Sequence, residues 1–460
     1  MTAIKKTPRS GWSRRRFLRL AALAAGSAGI GFPSVLRAQG LNEKLNVGFI
    51  GLGGQGCTRL TEMLNLPADV TALCDVDENY FAVAKKILPP SSTPKTFLDY
   101  RELLRTDVDA VVIATPDHWH APIATAALKA GKHVFAEKPL THAISEARNL
   151  RNLSRQFPRL VTQMGNQGSA STNLRRAIEL VQGDAIGQVR EVHVWVPPSG
   201  SFKAGQAKPI GENPVPAGLH WNDWIGPANF HAYQTGIYHP KAWRAWYDFG
   251  GGSIADWGCH GLNLPVRALK LDYPTAVTPD VPGGYTFGYP KNVRLRFDFA
   301  ARAGQPPVTL WWYDGGRLPP VGVLPQTILD HFGELPSQGV LLLGEKGFTF
   351  GAAHPGADYI QLAGEKKLSG ILNHAATHAI ARTLPRTTGH LAEWVNACGG
   401  GSATFSDFAT GGQLTEIVLA GVVALRLQKA LDWDGAAMRA NGAPAADQFI
   451  QAHYRPDWKA

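Results

Sequence analysis

The 460-residue chain is 44% hydrophobic and 18% charged, which excludes general disorder and supplies more apolar material than one ordinary domain needs, so two domains are expected. Its 50 glycines and 32 prolines imply many turns without a fibrous or low-complexity composition. The net charge of +10 invites a nucleic-acid reading, but eight basic residues (Lys5, Lys6, Arg9, Arg14, Arg15, Arg16, Arg19 and Arg37) sit in residues 1–38, and the 38 basic residues downstream face 36 acids, so no nucleic-acid partner is expected.

At the start of the chain, Ser13-Arg14-Arg15-Arg16-Phe17-Leu18-Arg19 precedes an uncharged, Ala- and Gly-rich stretch from Leu20 to Leu36. This is the pattern of a twin-arginine signal. The stretch is too short and too rich in Gly, Ser and Pro to act as a membrane anchor. Residues 1–38 are therefore read as a signal peptide cleaved near Ala38, leaving no stable membrane span and a periplasmic or extracellular protein. No later segment is read as long and apolar enough to cross a bilayer. Cys57, Cys74, Cys259 and Cys398 have no metal-binding spacing and are read as free thiols.

Residues 45–167 alternate strand-like and helix-like patterns. Strands are expected at Asn46–Ile50, Val70–Cys74, Ala110–Ala114, His133–Ala136 and Leu160–Met164, with helices at Cys57–Asn65, Asn79–Ile87, Ala121–Ala130 and Ser145–Gln156. Such alternation implies a doubly wound parallel sheet with right-handed crossovers, an α/β domain. From 168 to 431 the texture changes to a helix near Leu174–Gln182, longer strands such as Val189–Val196, Val293–Phe299 and Val308–Trp312, long loops, and an apolar helix over Leu414–Leu431. That pattern predicts a C-terminal α+β domain on a mostly antiparallel sheet. Residues 432–460 read as a tail lying on the body.

Gly51-Leu52-Gly53-Gly54-Gln55-Gly56 follows the first strand and opens a helix, the context of a Rossmann-type phosphate loop. Gly51, Gly53, Gly54, Gln55 and Gly56 are accordingly expected to bind a dinucleotide. Asp75 closes the second strand 19 residues beyond Gly56, where a carboxylate accepts from ribose hydroxyls and repels a 2′-phosphate, so NAD is favoured over NADP.

Glu137-Lys138-Pro139 ends the fourth strand at the ligand-binding edge, where Pro139 can hold a cis bond that aims Lys138 into the cleft. Further on, Asp256-x-x-x-His260 puts a carboxylate and an imidazole on one helical face, a pair able to move the proton that must leave a carbinol hydroxyl. With Thr115-Pro116-Asp117-His118-Trp119-His120 between them, these motifs stand in the order of a known family. The chain after its leader resembles the glucose-fructose oxidoreductase, inositol dehydrogenase and rhizopine-catabolism (Gfo/Idh/MocA) oxidoreductases. The resemblance implies Lys138, Asp256 and His260 as the catalytic trio, with His260 as acid/base and Lys138 bonding the reacting oxygen. It also implies that Thr115, Pro116, His120, Glu137 and Lys138 line the cofactor cleft. Asp117 stands where the family often has Asn, so no cofactor contact is assigned to it. Asp117, His118 and His120 include metal-ligand types, but helix capping at a strand-to-helix junction explains them and no metal is expected.

Ten aromatic residues fall between Leu219 and Trp257, a density suited to the apolar faces of a sugar or to anchoring a long loop. Trp243 and Arg244 in this stretch, with Gln163, Asn166 and His260, are the expected carbohydrate contacts. Outside the cytoplasm no free nicotinamide pool exists, so the cofactor should stay bound and be re-reduced or re-oxidised in place. The chain is thus read as an exported, NAD-dependent sugar or cyclitol oxidoreductase, expected as a homo-oligomer. The alternatives are an NAD-dependent glycosidase working by oxidation, elimination and reduction, and a non-catalytic sugar or nucleotide sensor.

Overall fold

In the computed structural model, residues 44–198, 204–302 and 304–458 are described, and the twin-arginine signal read in residues 1–38 lies outside them. The first strand, β1 (Leu45–Ile50), is buried at every position except Asn46, as a central strand covered on both faces must be. It is followed by β2 (Ala68–Cys74), β3 (Lys95–Phe97), β4 (Ala110–Ile113), β5 (His133–Glu137) and β6 (Thr162–Gly165). These pair in the order β3-β2-β1-β4-β5-β6, every neighbouring pair parallel. The order reverses between β1 and β4, and the cleft at such a switch point is where doubly wound sheets bind ligands.

The crossovers are α1 (Gly54–Met63), α2 (Asn79–Ile87), α3 (Tyr100–Leu104), α4 (Asp117–Lys129) and α5 (Ile144–Gln156). Three of the helices begin earlier than expected, α1 at Gly54, α4 at Asp117 and, by one residue, α5 at Ile144, and the short pieces β3 and α3 were not foreseen. Three residues such as Lys95–Phe97, the first two exposed, carry almost no periodic signal.

Beyond α6 (Thr172–Gln182) a second sheet forms from β7 (Val189–Trp195), β8 (Ala276–Asp280), β9 (Arg294–Phe299), β10 (Val308–Tyr313), β11 (Gly339–Gly344), β12 (Gly347–Gly351), β13 (Tyr359–Leu362), β14 (Ser369–Gly370), β15 (Leu431–Asp434) and β16 (Arg439–Ala440). Its order is β14-β13-β12-β11-β7-β10-β9-β8-β15-β16. Only β7 and β10 run parallel, so this sheet is mostly antiparallel, as expected.

Two further helices matter for the site, α7 (Gly252–Gly261) and α8 (Phe408–Leu427). The apolar helix expected over Leu414–Leu431 instead starts at Phe408, where the Asp407 carboxylate caps it by accepting from the Thr410 N–H at 2.8 Å, and ends where Gln428 turns left-handed. Leu431 belongs to β15. The expectation that no later segment is long and apolar enough to span a bilayer is also corrected, because α8 meets both criteria. It is nonetheless a core helix, with 83% of its most apolar window buried inside the protein.

The joint between α8 and the first domain is ionic at its centre. Glu416, buried on α8, accepts from Arg148 (2.7 Å) and Arg151 (2.6 Å) of α5. Removing the carboxylate would leave two largely buried cations facing each other. Glu416→Ala should therefore lower unfolding free energy by about 3 kcal/mol or more, read as a fall in the denaturation midpoint, and a change within error would show the pair to be dispensable.

Candidate active site

The glycine turn after β1 is built on contacts too close for side chains. Gly51 has φ of +88°, and a Cβ there would lie 2.7 Å from the Ala114 carbonyl oxygen, while one on Gly56 would lie 2.0 Å from the Gly51 oxygen. Gly56 therefore faces the turn and lets α1 pack against it, and it does not border the cleft. At Gly53 and Gly54 a Cβ would meet nothing within 4 Å, so backbone faces open space there. The N-terminus of α1 has no side-chain cap and no acid in its first turn, leaving amide N–H groups for an anion.

This turn borders a cavity of about 710 Å³ that also takes in Gln55, Asp75, Thr115 and Pro116. The Asp75 carboxylate accepts from the N–H groups of Leu52 (2.6 Å) and Asp77 (2.9 Å). Burial lifts its pKa to about 6 against those bonds, so it is ionised at neutral pH. The Thr115 hydroxyl is buried on the cavity wall with no partner among the described residues. An open amide cradle, an ionised carboxylate and an orphaned hydroxyl along one cavity fit the phosphates and hydroxyls of a dinucleotide.

The three residues expected to be catalytic gather around Asp256, which borders this cavity. Lys138, whose peptide bond to Pro139 is cis, donates from Nζ to Asp256 Oδ1 (2.6 Å) and to the Asp256 carbonyl (2.7 Å). Arg244 Nε donates to the same Oδ1 at 3.2 Å, and its guanidinium lies 4.2 Å from the centre of the Trp243 ring. Trp243, Arg244 and Asp256 all border the cavity. Burial opposes charge on Asp256, yet Lys138 and Arg244 outweigh it and hold the carboxyl far below the usual range. One turn along α7, His260 makes no hydrogen bond within the described residues, and its ring sits 4.4 Å from that of His354. Burial first, then Lys138 and His354, hold His260 well below the ordinary imidazole range, so it is neutral and able to accept a proton.

Several expected contacts fall elsewhere. His120 is buried with its ring nitrogens 2.7 Å from the Pro139 oxygen and 2.9 Å from the Thr115 oxygen, so it braces two loops and does not face the cofactor cleft. Glu137 points behind the glycine helix, accepting from Gln55 (3.1 Å) and pairing with Arg59 (3.4 Å). Gln163 is fully buried and donates to the His390 carbonyl at 2.6 Å, while Asn166 accepts from the Ser406 hydroxyl beside a separate cavity of about 570 Å³. Neither borders the larger cavity. Their positions on or just past the edge of a sheet suggested access, but the second domain covers that edge. Lys138 and His260 are not on the wall of the larger cavity either, but Lys138 is bound to Asp256, which is.

Most of the aromatic segment packs on itself: Trp221 stacks on Trp224 at 4.7 Å, and Tyr238 and Phe249 meet at 5.3 Å. Trp224 and Trp243 reach the cavity. Residues not foreseen there include Arg101, just past β3, and Arg455 and Trp458 of the tail. Only the distant fold brings them to the cleft. The metal-ligand types Asp117, His118 and His120 do not converge, and His118 sits 3.2 Å from the Trp224 carbonyl oxygen.

Residues 45–163 match the GFO_IDH_MocA model, described as an oxidoreductase family with an NAD-binding Rossmann fold, and residues 199–281 match the family's C-terminal alpha/beta domain. A glycosyl hydrolase family 109 protein of Saccharopolyspora erythraea is 32% identical over 205 residues, covering 39% of this chain and 44% of that one. An alpha-N-acetylgalactosaminidase of Shewanella oneidensis is 38% identical over 112 residues, 23% of this chain and 24% of that one. The chain thus spans less than half the length of either relative. The aldose-aldose oxidoreductase of Caulobacter crescentus, solved with glycerol, superposes with a TM-score of 0.58 at 16% identity, covering 84% of this chain and 99% of that one, a likeness of fold.

Asp117 lies buried beside the trio, and burial lifts its pKa to about 8 despite Arg244 and Lys138. A carboxyl protonated when folded and ionised when unfolded makes the fold lose stability as pH rises between the two values. Stability should therefore decline from about pH 4 to about pH 8, by up to about 1.4 kcal/mol per unit from this group. Asp117→Asn should flatten that decline in chemical denaturation across the range, and an unchanged slope would mean that Asp117 is ionised.

Proposed function

We propose that this chain, whose residues 45–163 and 199–281 match the two domain models of the Gfo/Idh/MocA oxidoreductase family, is an NAD-dependent enzyme that oxidises a CH–OH group of a sugar, sugar derivative or cyclitol. The observation that carries the proposal is the Lys138–Asp256 pair, which joins the edge of the dinucleotide cavity to the helix bearing a neutral His260. NAD, when bound, supplies the acceptor for the hydrogen that leaves the carbinol carbon with its bonding electrons. His260 takes the hydroxyl proton. Lys138 donates a hydrogen bond to the same oxygen and stabilises the negative charge that grows on it. Asp256 holds Lys138 in place, and Arg244, stacked over the buried Trp243 ring, offers a cationic group at the cavity wall to the substrate.

The relatives named as a family 109 glycosyl hydrolase and an alpha-N-acetylgalactosaminidase support a second reading. In it, transient oxidation of one ring carbon acidifies the neighbouring C–H, the glycosidic group is eliminated, water adds to the unsaturated product, and the ketone is reduced again. That sequence is redox-neutral and would suit a cofactor that never leaves. Residues 1–38 would then direct a folded, loaded enzyme out of the cytoplasm, working as a homo-oligomer.

His260→Ala should leave NAD binding nearly intact and lower turnover by roughly 10²–10⁴; loss of binding and turnover together would contradict the assigned role. Product analysis separates the readings, since an oxidised sugar marks a dehydrogenase and a released aglycone without net NADH marks a glycosidase. Binding of NAD and sugar with no turnover of any carbohydrate would overturn both in favour of a sensor.

A further inference from the structure

The chain after the short helix Asp447–Ile450 runs back across the cofactor domain. The Ala452 N–H donates to Ser145 Oγ (2.9 Å), and the Tyr454 hydroxyl donates to Glu146 (2.7 Å), both partners lying on α5. The Arg455 N–H then donates to the Pro227 carbonyl (3.0 Å), and its Nη1 to Asn222 Oδ1 (2.9 Å). These bonds deliver Trp458 to the mouth of the large cavity, where its ring meets Trp119 edge-on at 5.9 Å and lies 6.0 Å from the Arg101 guanidinium. Arg455, Asp457 and Trp458 all wall the same cavity as the glycine turn.

The end of the cavity they cover can be identified. Asp75 at the end of β2 and Leu98 to Arg101 just past β3 line the side of the sheet away from β4 and β5, and a dinucleotide on such a sheet lays its adenosine half there. We propose that the segment Tyr454–Trp458 is a clasp over the adenosine end of the dinucleotide, so that bound cofactor leaves only when the segment lifts. An indole at that wall supplies a flat face for the purine, an attraction that every base can use. Tyr454 and Arg455 are the hinge pins that hold the ring in place, bonded to the first domain and to the long loop of the second respectively. The clasp rests on the reading that NAD occupies this cavity, and it adds a reason for the cofactor's retention that the glycine turn alone does not give.

The test is the rate at which bound NADH leaves the full chain, followed by fluorescence after mixing with excess NAD. Trp458→Ala should speed release about ten-fold or more, equivalent to about 1.4 kcal/mol, with an unfolding midpoint in the absence of nucleotide close to that of the parent. Trp458→Phe should restore slow release. If the Ala variant does not fold, Trp458→Leu, which keeps apolar bulk and removes the aromatic face, gives the same comparison. Release at the parent rate without the indole would overturn the clasp, as would fast release that the Phe variant fails to rescue. A parent chain that binds no NADH would instead sink the cofactor reading, a result distinct from failure of the clasp.

Discussion

One carboxylate oxygen organises the site. Asp256 Oδ1 accepts from Lys138, at the end of β5, and from Arg244, in the aromatic segment, and so pins together parts of the chain more than 100 residues apart. Without that anion the two cations would repel each other in a poorly hydrated setting, and neither would have a fixed position. The arrangement also sets the local charge. Two cations and one anion, with Asp117 protonated, leave a net positive charge beside His260. A surplus positive charge of this kind lowers the energy of an oxygen that is losing its proton.

The cofactor loop and the long aromatic loop are not independent. His239 hydrogen-bonds Asp77 at 3.0 Å, the His220 N–H donates to the Val76 carbonyl at 2.9 Å, and the Glu78 N–H donates to the Gly218 carbonyl at 2.8 Å. The segment just beyond Asp75 is therefore stitched to residues that lead into Trp224 and Trp243. Ordering of one loop by a ligand would be felt in the other through main-chain bonds, without any long chain of side chains between them. The self-packed aromatics have a matching purpose, since a loop of this length with no strand of its own is held by a small apolar core.

What could be read from the sequence divides along a physical line. The glycine turn and Asp75 are local patterns whose backbone setting follows from a strand and a helix next to each other, whereas the catalytic roles expected of Lys138, Asp256 and His260 come from the order of their motifs in the family they resemble. Gln163 and Asn166 stand near the right sheet edge, and His120 and Glu137 lie in motifs that the family resemblance assigns to the cofactor cleft. The partners of Glu137, Gln163 and Asn166, among them Arg59, His390 and Ser406, lie far away in sequence, and the direction of a side chain is settled by those partners. Trp458 and Arg101 illustrate the same limit from the other side, being wall residues that no motif marks. The start of α8 is different: Asp407 ahead of an apolar run is a legible capping signal that was outweighed by the stronger hydrophobicity further along.

Helix α8 has a consequence for how such a chain could cross a membrane. Its 20 residues would pass for a spanning segment if they reached a translocation channel as an extended thread, and lateral release into lipid would strand the protein halfway. Once folded, the same residues are hidden between α5, α7 and the second sheet, with Glu416 locked to its arginines. A secretion pathway that accepts only finished, rigid cargo would never expose this hazard, whereas one that threads unfolded polypeptide would meet it every time.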